Sequence, residues 1–133
     1  MATRQTAKLE GLLARAREDR DVLAVFLFGS AARGEVGARS DIDVCLVLNE
    51  DALGDPTDAS RKRLDYLAAF DLDVRVFQQL PLYVRHRVLK EGRVLFARDE
   101  DLLYRLALRT VRQFERFKPI YHHYLEQVAR ARP

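Results

Sequence analysis

One stretch, residues 25–48, constrains the fold more than any other part of the chain. It begins with an apolar run of four residues, which is long enough for a buried strand and is followed directly by Gly29. From residue 41 to residue 48, apolar positions alternate with a second set that contains Asp41 and Asp43. Because successive side chains of a strand point to opposite faces, this pattern predicts a second strand with both carboxylates on one face.

The turn after the first strand has the composition of a phosphate-binding turn. Gly29 and Ser30 lead into Ala31, Ala32 and Arg33, a short segment with good helix propensity. Free backbone N–H groups and the positive end of a helix dipole attract phosphate at such a strand-to-helix turn. The sequence therefore predicts a phosphate site at Gly29 and Ser30.

The two aspartates predict a metal-binding edge beside that turn. Asp41 and Asp43 are two residues apart, which is about 6.6 Å along a strand. Two neighbouring carboxylates repel each other, and a hard cation such as Mg²⁺, which also holds substrate phosphates, removes the repulsion. The alternative is a strand, a turn and a second strand whose aspartates only cap the strand and keep the surface soluble.

Composition bounds the class of protein. With 133 residues, 48% of them hydrophobic and 32% charged, we expect one globular domain, residues 1–133. There is no apolar run long enough for a membrane span and no secretion signal, and a single cysteine suits a cytoplasmic protein. The net charge of +3 divides into −3 for residues 1–84 and +6 for residues 85–133. Such a basic half suits a polyphosphate substrate, an acidic partner or nucleic acid, or is simply a solvated arginine-rich surface.

Hydrophobic periodicity predicts the remaining elements. The helix after the loop at residues 49–58 is expected to bury Leu64, Leu67 and Ala68. Pro119 is expected to kink or divide the last helix. The aromatic residues around it either form a docking surface or belong to a fraying helix end. The predicted helices cover residues 4–18, 58–69, 81–91 and 99–130, and the further strands cover residues 70–77 and 93–96.

The central stretch resembles the signature of a known family, the minimal nucleotidyltransferases of the polymerase-beta-like superfamily. The resemblance covers residues 22–97, with residues 99–131 as a looser C-terminal helical match. It implies an α/β (α+β) nucleotidyltransferase fold: a small mixed sheet, helices packed mainly on one face, and a long C-terminal helix. The residues that match the signature are Gly29-Ser30, Arg33-Gly34, Ser40 and Asp41-Ile42-Asp43.

The resemblance also implies the site residues. In this family a third acid lies on a neighbouring strand in a pattern like Val-Asp-Val-Val, and Leu72-Asp73-Val74 matches it. Asp71 is interpreted as a turn residue and Arg75 as the partner of a nearby acid or of a phosphate. The implied ligands are two Mg²⁺ ions and ATP. The implied catalytic and metal-binding residues are Asp41, Asp43 and Asp73, and the implied nucleotide-binding residues are Gly29, Ser30, Arg33 and Ser40.

The function implied by the resemblance is Mg²⁺-dependent transfer of a nucleotidyl group, AMP from ATP, to a hydroxyl group. Minimal members that resemble this chain often act as antitoxins that adenylylate a tyrosine of a HEPN-family ribonuclease, so we expect a HEPN partner. We expect no membrane partner, and nucleic acid only through the partner. The oligomeric state, a homo-oligomer included, stays open. Two alternatives remain: a non-catalytic subunit that blocks its partner sterically, and transfer to a small molecule.

Overall fold

The computed structural model describes residues 4–29 and 42–131. Within them, helices and strands follow one another in the order that the sequence predicts. Short 3-10 turns at Glu50–Ala52 and Phe77–Gln79 follow the second and third strands. The helices are α1 (Arg4–Glu18), α2 (Asp58–Phe70), α3 (Leu82–Glu91) and α4 (Glu100–Arg130), and the strands are β1 (Val22–Phe28), β2 (Asp43–Leu48), β3 (Asp73–Val76) and β4 (Arg93–Ala97).

The four strands form one mixed sheet in the order β3-β2-β1-β4. The central strand β1 is antiparallel to both of its neighbours, β2 and β4. Strands β2 and β3 are parallel, and α2 forms the crossover between them. Because parallel strands begin at the same edge of a sheet, this pairing brings the first residues of β2 and β3 side by side.

Helices cover both faces of this sheet, two on each, rather than packing mainly on one. On one face, α1 and α2 pack through residues such as Leu12 and Tyr66. On the other, α3 and α4 pack through residues such as Val88 and Leu103. The reason lies in β1 and β2, which are buried over nearly their whole length and have apolar side chains at both alternating sets of positions. A strand that is apolar on both faces needs a cover on both.

Helix α2 buries a different side from the one that its periodicity suggested. The expectation that Leu64 and Ala68 point inwards is wrong, since both are exposed, Leu64 by 58%. Tyr66 is fully buried instead, and its hydroxyl donates a hydrogen bond to the Asp19 carboxylate at 2.9 Å. A tyrosine can be buried here because that acceptor satisfies its polar end.

Helix α4 extends well beyond the sheet. Its 31 residues correspond to about 46 Å, and its buried residues, Leu103, Leu106 and Thr110, all lie in its first half. Asp99 caps its start by accepting a hydrogen bond from the Leu102 N–H at 3.1 Å. The helix runs continuously through Pro119, which therefore does not divide it. Of the helices described, none is both long and apolar enough to cross a membrane.

Candidate active site

The two described aspartates of the predicted metal site are neighbours in the sheet. Asp43 is the first residue of β2, Asp73 is the first residue of β3, and the two are paired in the parallel register. Adjacent strands are about 4.8 Å apart. Asp43 is two residues before Cys45 and therefore on the same face of β2, and Cys45 packs in the core on the α3 and α4 side, so both carboxylates lie on that face of the sheet.

Gly29 lies directly against the Asp43 carboxylate. Its φ angle is +80°, a conformation that L side chains rarely adopt. A Cβ atom built there would lie 2.3 Å from Asp43 Oδ2. Glycine is therefore required here for two independent reasons, its backbone conformation and the close approach of the carboxylate.

The residues around Asp73 have the roles that the sequence suggested. The Arg75 Nε donates a hydrogen bond to Asp73 Oδ1 at 3.2 Å, and both side chains are substantially exposed. Such an exposed ion pair contributes at most about 1 kcal/mol, so it can exchange with other partners of either group. Asp71 has a φ of 52° and ends α2, as expected of a turn residue, and its carboxylate pairs with Lys8 Nζ at 3.0 Å.

Four further predicted site residues lie outside the described part of the chain. They are Ser30, Arg33, Ser40 and Asp41. Their assignment to nucleotide and metal binding stays a prediction.

A cleft of about 350 Å³ opens beside Asp43. The ends of β1 and β2 form one side of it, and one face of α3 forms the other. None of the site residues predicted from the sequence lies on α3. A signal was available, because the α3 residues of the cleft recur at helical spacing with two apolar and two charged side chains. The cleft is lined by Phe28, Gly29, Asp43, Val84, Arg87, Val88 and Glu91.

The donor set at the sheet edge suits a hard divalent cation. Asp43 and Asp73 supply carboxylate oxygens, the ligands that Mg²⁺ prefers. Within the described ranges no three His, Cys, Asp or Glu side chains form a cluster that could hold a metal. Burial raises the pKa of the Cys45 thiol to about 12, so this neighbouring group is neither a thiolate ligand nor a nucleophile near neutral pH.

Comparison with known proteins identifies the family. Residues 10–101, more than half of the chain, match the family described as polymerase beta, nucleotidyltransferase. The chain belongs to this family. The resemblance to nucleotidyltransferases that the Gly-Ser and Asp-Ile-Asp motifs suggested is thereby confirmed.

A relative among curated proteins is a protein of Methanocaldococcus jannaschii that is provisionally named protein adenylyltransferase MJ1547. This nucleotidyltransferase and that protein are 33% identical over 81 residues. The match covers 61% of each chain and thus less than two thirds of the relative's length.

Solved structures with the same fold extend the likeness to nearly the whole chain. A toxin-antitoxin crystal structure with AMP-PNP contains a chain with a TM-score of 0.68 and 21% identity, and the match covers 92% of this chain and 97% of that one. A structure of a tri-AMPylated HEPN toxin of Shewanella oneidensis in complex with an MNT antitoxin gives a TM-score of 0.65 at 18% identity, covering 96% and 99%. These matches confirm the predicted nucleotidyltransferase fold, with its mixed sheet and long C-terminal helix.

Proposed function

We propose that this nucleotidyltransferase is a protein adenylyltransferase, a single catalytic domain that transfers AMP from ATP to a hydroxyl group of a protein partner. The observation that supports this most directly is the pairing of Asp43 with Asp73 beside Gly29, at the rim of a cleft in a nucleotidyltransferase fold. Paired carboxylates at the edge of an open cleft are suited to phosphoryl chemistry, in which positioning and charge stabilisation provide most of the catalysis.

Each acidic residue has a role in this scheme. Asp41, Asp43 and Asp73 would hold two Mg²⁺ ions, which would supply neutralising charge for the triphosphate. The acceptor oxygen attacks the α-phosphorus, a new P–O bond forms, and the bond to the oxygen that bridges the α- and β-phosphates breaks, so that pyrophosphate leaves. The Asp73 carboxylate orients the acceptor hydroxyl and accepts its proton.

The triphosphate is bound at the turn after β1. In this proposal the backbone N–H of Gly29 and the hydroxyl of Ser30 donate to the phosphates. Arg33 and Ser40 complete the nucleotide site in this proposal. No side chain forms a covalent intermediate.

The acceptor in this proposal is a tyrosine of a HEPN-family ribonuclease, and the protein is the antitoxin of that pair. Two relatives support this choice: the provisional adenylyltransferase of M. jannaschii, and the complex of an AMPylated HEPN toxin with an MNT antitoxin. In both cases the support is by likeness of sequence or fold.

An apolar surface on α3 and α4 provides a place for that partner. Its rings stack on one another: Tyr83 on Tyr121, and Phe117 on Tyr121, each pair with ring centroids 5.5 Å apart. Ile120 and Tyr124 complete the surface and are 66% and 61% exposed. Preformed aromatic surfaces of this kind anchor protein interfaces, since burying them releases much ordered water at little cost in side-chain entropy.

The same surface also fits the second candidate function, a non-catalytic subunit that blocks the ribonuclease sterically. The two functions differ in whether Asp43 is needed. We expect Asp43→Asn to lower the rate of AMP transfer to the partner by more than about 100-fold, measured with radiolabelled ATP in the presence of Mg²⁺. This is the order of effect for losing one transition-state charge contact. The partner complex should form as before.

The matched control is Asp65→Asn, the same change at an exposed aspartate of α2. It should transfer AMP at the wild-type rate. If Asp43→Asn also transfers AMP at that rate, the site is assigned incorrectly. If neither wild type nor variant transfers AMP while both bind the ribonuclease and inhibit it, the steric function replaces the catalytic one.

A further inference from the structure

We propose that Arg87 binds phosphate oxygens of the nucleotide, so that α3 forms one wall of the nucleotide site. The inference rests on the function proposed above and adds to it a substrate-binding residue outside the Gly-Ser and Asp-Ile-Asp motifs. It follows from the position, the charge and the partner of Arg87.

The position of Arg87 in the cleft supports this proposal. The cleft that begins at Asp43 and Gly29 is closed on its opposite side by α3. Val84 and Val88 give this wall an apolar base, and Arg87 lies with them on the face of the helix that lines the cleft. A nucleotide whose phosphates lie at Gly29 and Asp43 therefore has Arg87 across the cleft from it.

The charges of the residues that line the cleft also support it. A triphosphate is strongly anionic, and Asp43 and Glu91 add two negative charges to the same cleft. Among the described residues that line it, Arg87 is the one cation. A guanidinium can bind two phosphate oxygens at once, which makes arginine better suited than lysine to hold a phosphate group in one orientation.

The Arg87 guanidinium is available to bind a phosphate group. Its closest ion-pair contact, from Arg87 Nη2 to Glu91 Oε2, is 3.7 Å long, and the two side chains are 63% and 44% exposed. This distance is too long for a hydrogen bond, and an exposed pair one turn apart on a helix is weak. Glu91 therefore does not prevent Arg87 from moving onto a phosphate.

The opposite charges of Arg87 and Glu91 allow the proposal to be tested. The probe is a non-hydrolysable ATP analogue with Mg²⁺, titrated into the full chain in a calorimeter. Arg87→Ala should raise the dissociation constant about 10- to 150-fold, the range for a hydrogen bond to a charged group, and Arg87→Lys should fall between that and wild type. Glu91→Gln removes a repulsive charge and should lower the constant by about two- to fivefold.

The matched control is Lys90→Ala, which removes the same charge from an exposed position of α3 that does not line the cleft. It should change the dissociation constant less than about twofold. If Arg87→Ala behaves like Lys90→Ala, Arg87 does not bind the phosphates, and if Glu91→Gln weakens binding as Arg87→Ala does, the Arg87–Glu91 pair acts structurally. Either result overturns the inference. If the wild-type chain does not bind the analogue at all, the proposed function fails together with it.

Discussion

Replacing Gly29 with alanine tests how the turn after β1 shapes the site. At a φ of +80°, a Cβ atom costs about 1–2 kcal/mol in backbone strain. The same atom would lie 2.3 Å from Asp43 Oδ2, whereas ordinary contacts begin at 3.4 Å. The carboxylate must therefore move by about 1 Å, or the turn must deform.

Both effects are measurable. The strain should lower the melting temperature by roughly 3–10 °C for a domain of this size. A catalytic group displaced by about 1 Å can cost roughly 100-fold in rate, so AMP transfer should fall by about that factor even where the protein is fully folded. Thermal unfolding followed by circular dichroism, and transfer from radiolabelled ATP at a temperature well below the transition, separate the two.

Gly54→Ala is the matched control, because a Cβ atom at Gly54 has Asp58 Oδ2 at 3.9 Å as its nearest neighbour and its φ is not positive. It should leave stability and transfer unchanged or slightly stabilise the fold. In an Asp43→Ala background the carboxylate is gone and the nearest remaining atom of that side chain is its Cβ at 3.5 Å, so only the backbone strain of Gly29→Ala should remain. The reasoning is refuted if Gly29→Ala melts and reacts as Gly54→Ala does.

Two further predictions concern the partly buried network around Asp19 and the apolar surface on α3 and α4. Burial opposes ionisation of Asp19, but hydrogen bonds from Lys62 and Tyr66 outweigh it and hold the pKa of Asp19 below its usual range. The ionised carboxylate therefore stabilises the folded state above about pH 4, and this contribution is lost as the pH falls through the folded-state pKa. Tyr66→Phe should therefore cost about 1.5–3 kcal/mol in urea unfolding at pH 7 and less at pH 3; an equal cost at both values would contradict this. Tyr124→Ala should weaken the proposed complex with the ribonuclease by about 30-fold or more in a titration, whereas Tyr104→Ala, on the same helix and 68% exposed, should not. Equal effects would exclude the docking role.

The sequence alone determined the local part of this structure. The alternation of apolar and polar residues predicted β2 and β3. Helix α4 begins after Asp99 and α2 ends before Asp71, close to the predicted positions. The sequence also placed Asp43 near the start of its strand, but it predicted a strand over residues 70–77 with Asp73 in the middle, whereas β3 begins at Asp73. These features depend on neighbours within a few residues along the chain, which is why periodicity and turn chemistry suffice for them.

Long-range contacts decided which of those local patterns meet. That β2 and β3 are adjacent and parallel, so that Asp43 faces Asp73, depends on the crossover through α2. That Tyr66 rather than Leu64 is buried depends on Asp19, which is distant in sequence and supplies the acceptor for its hydroxyl.

The cleft wall formed by α3 is also decided by long-range contacts. Helical spacing indicates that Arg87 shares one face of α3 with Val84 and Val88, but not which face of the sheet the helix covers, since a helix with one apolar stripe can pack on either face. Both faces of this sheet are apolar, and the choice between them is made by the chain connections and by the total area that each pair of helices can bury. Tertiary packing therefore decides which charged residues the site acquires from outside its own motif.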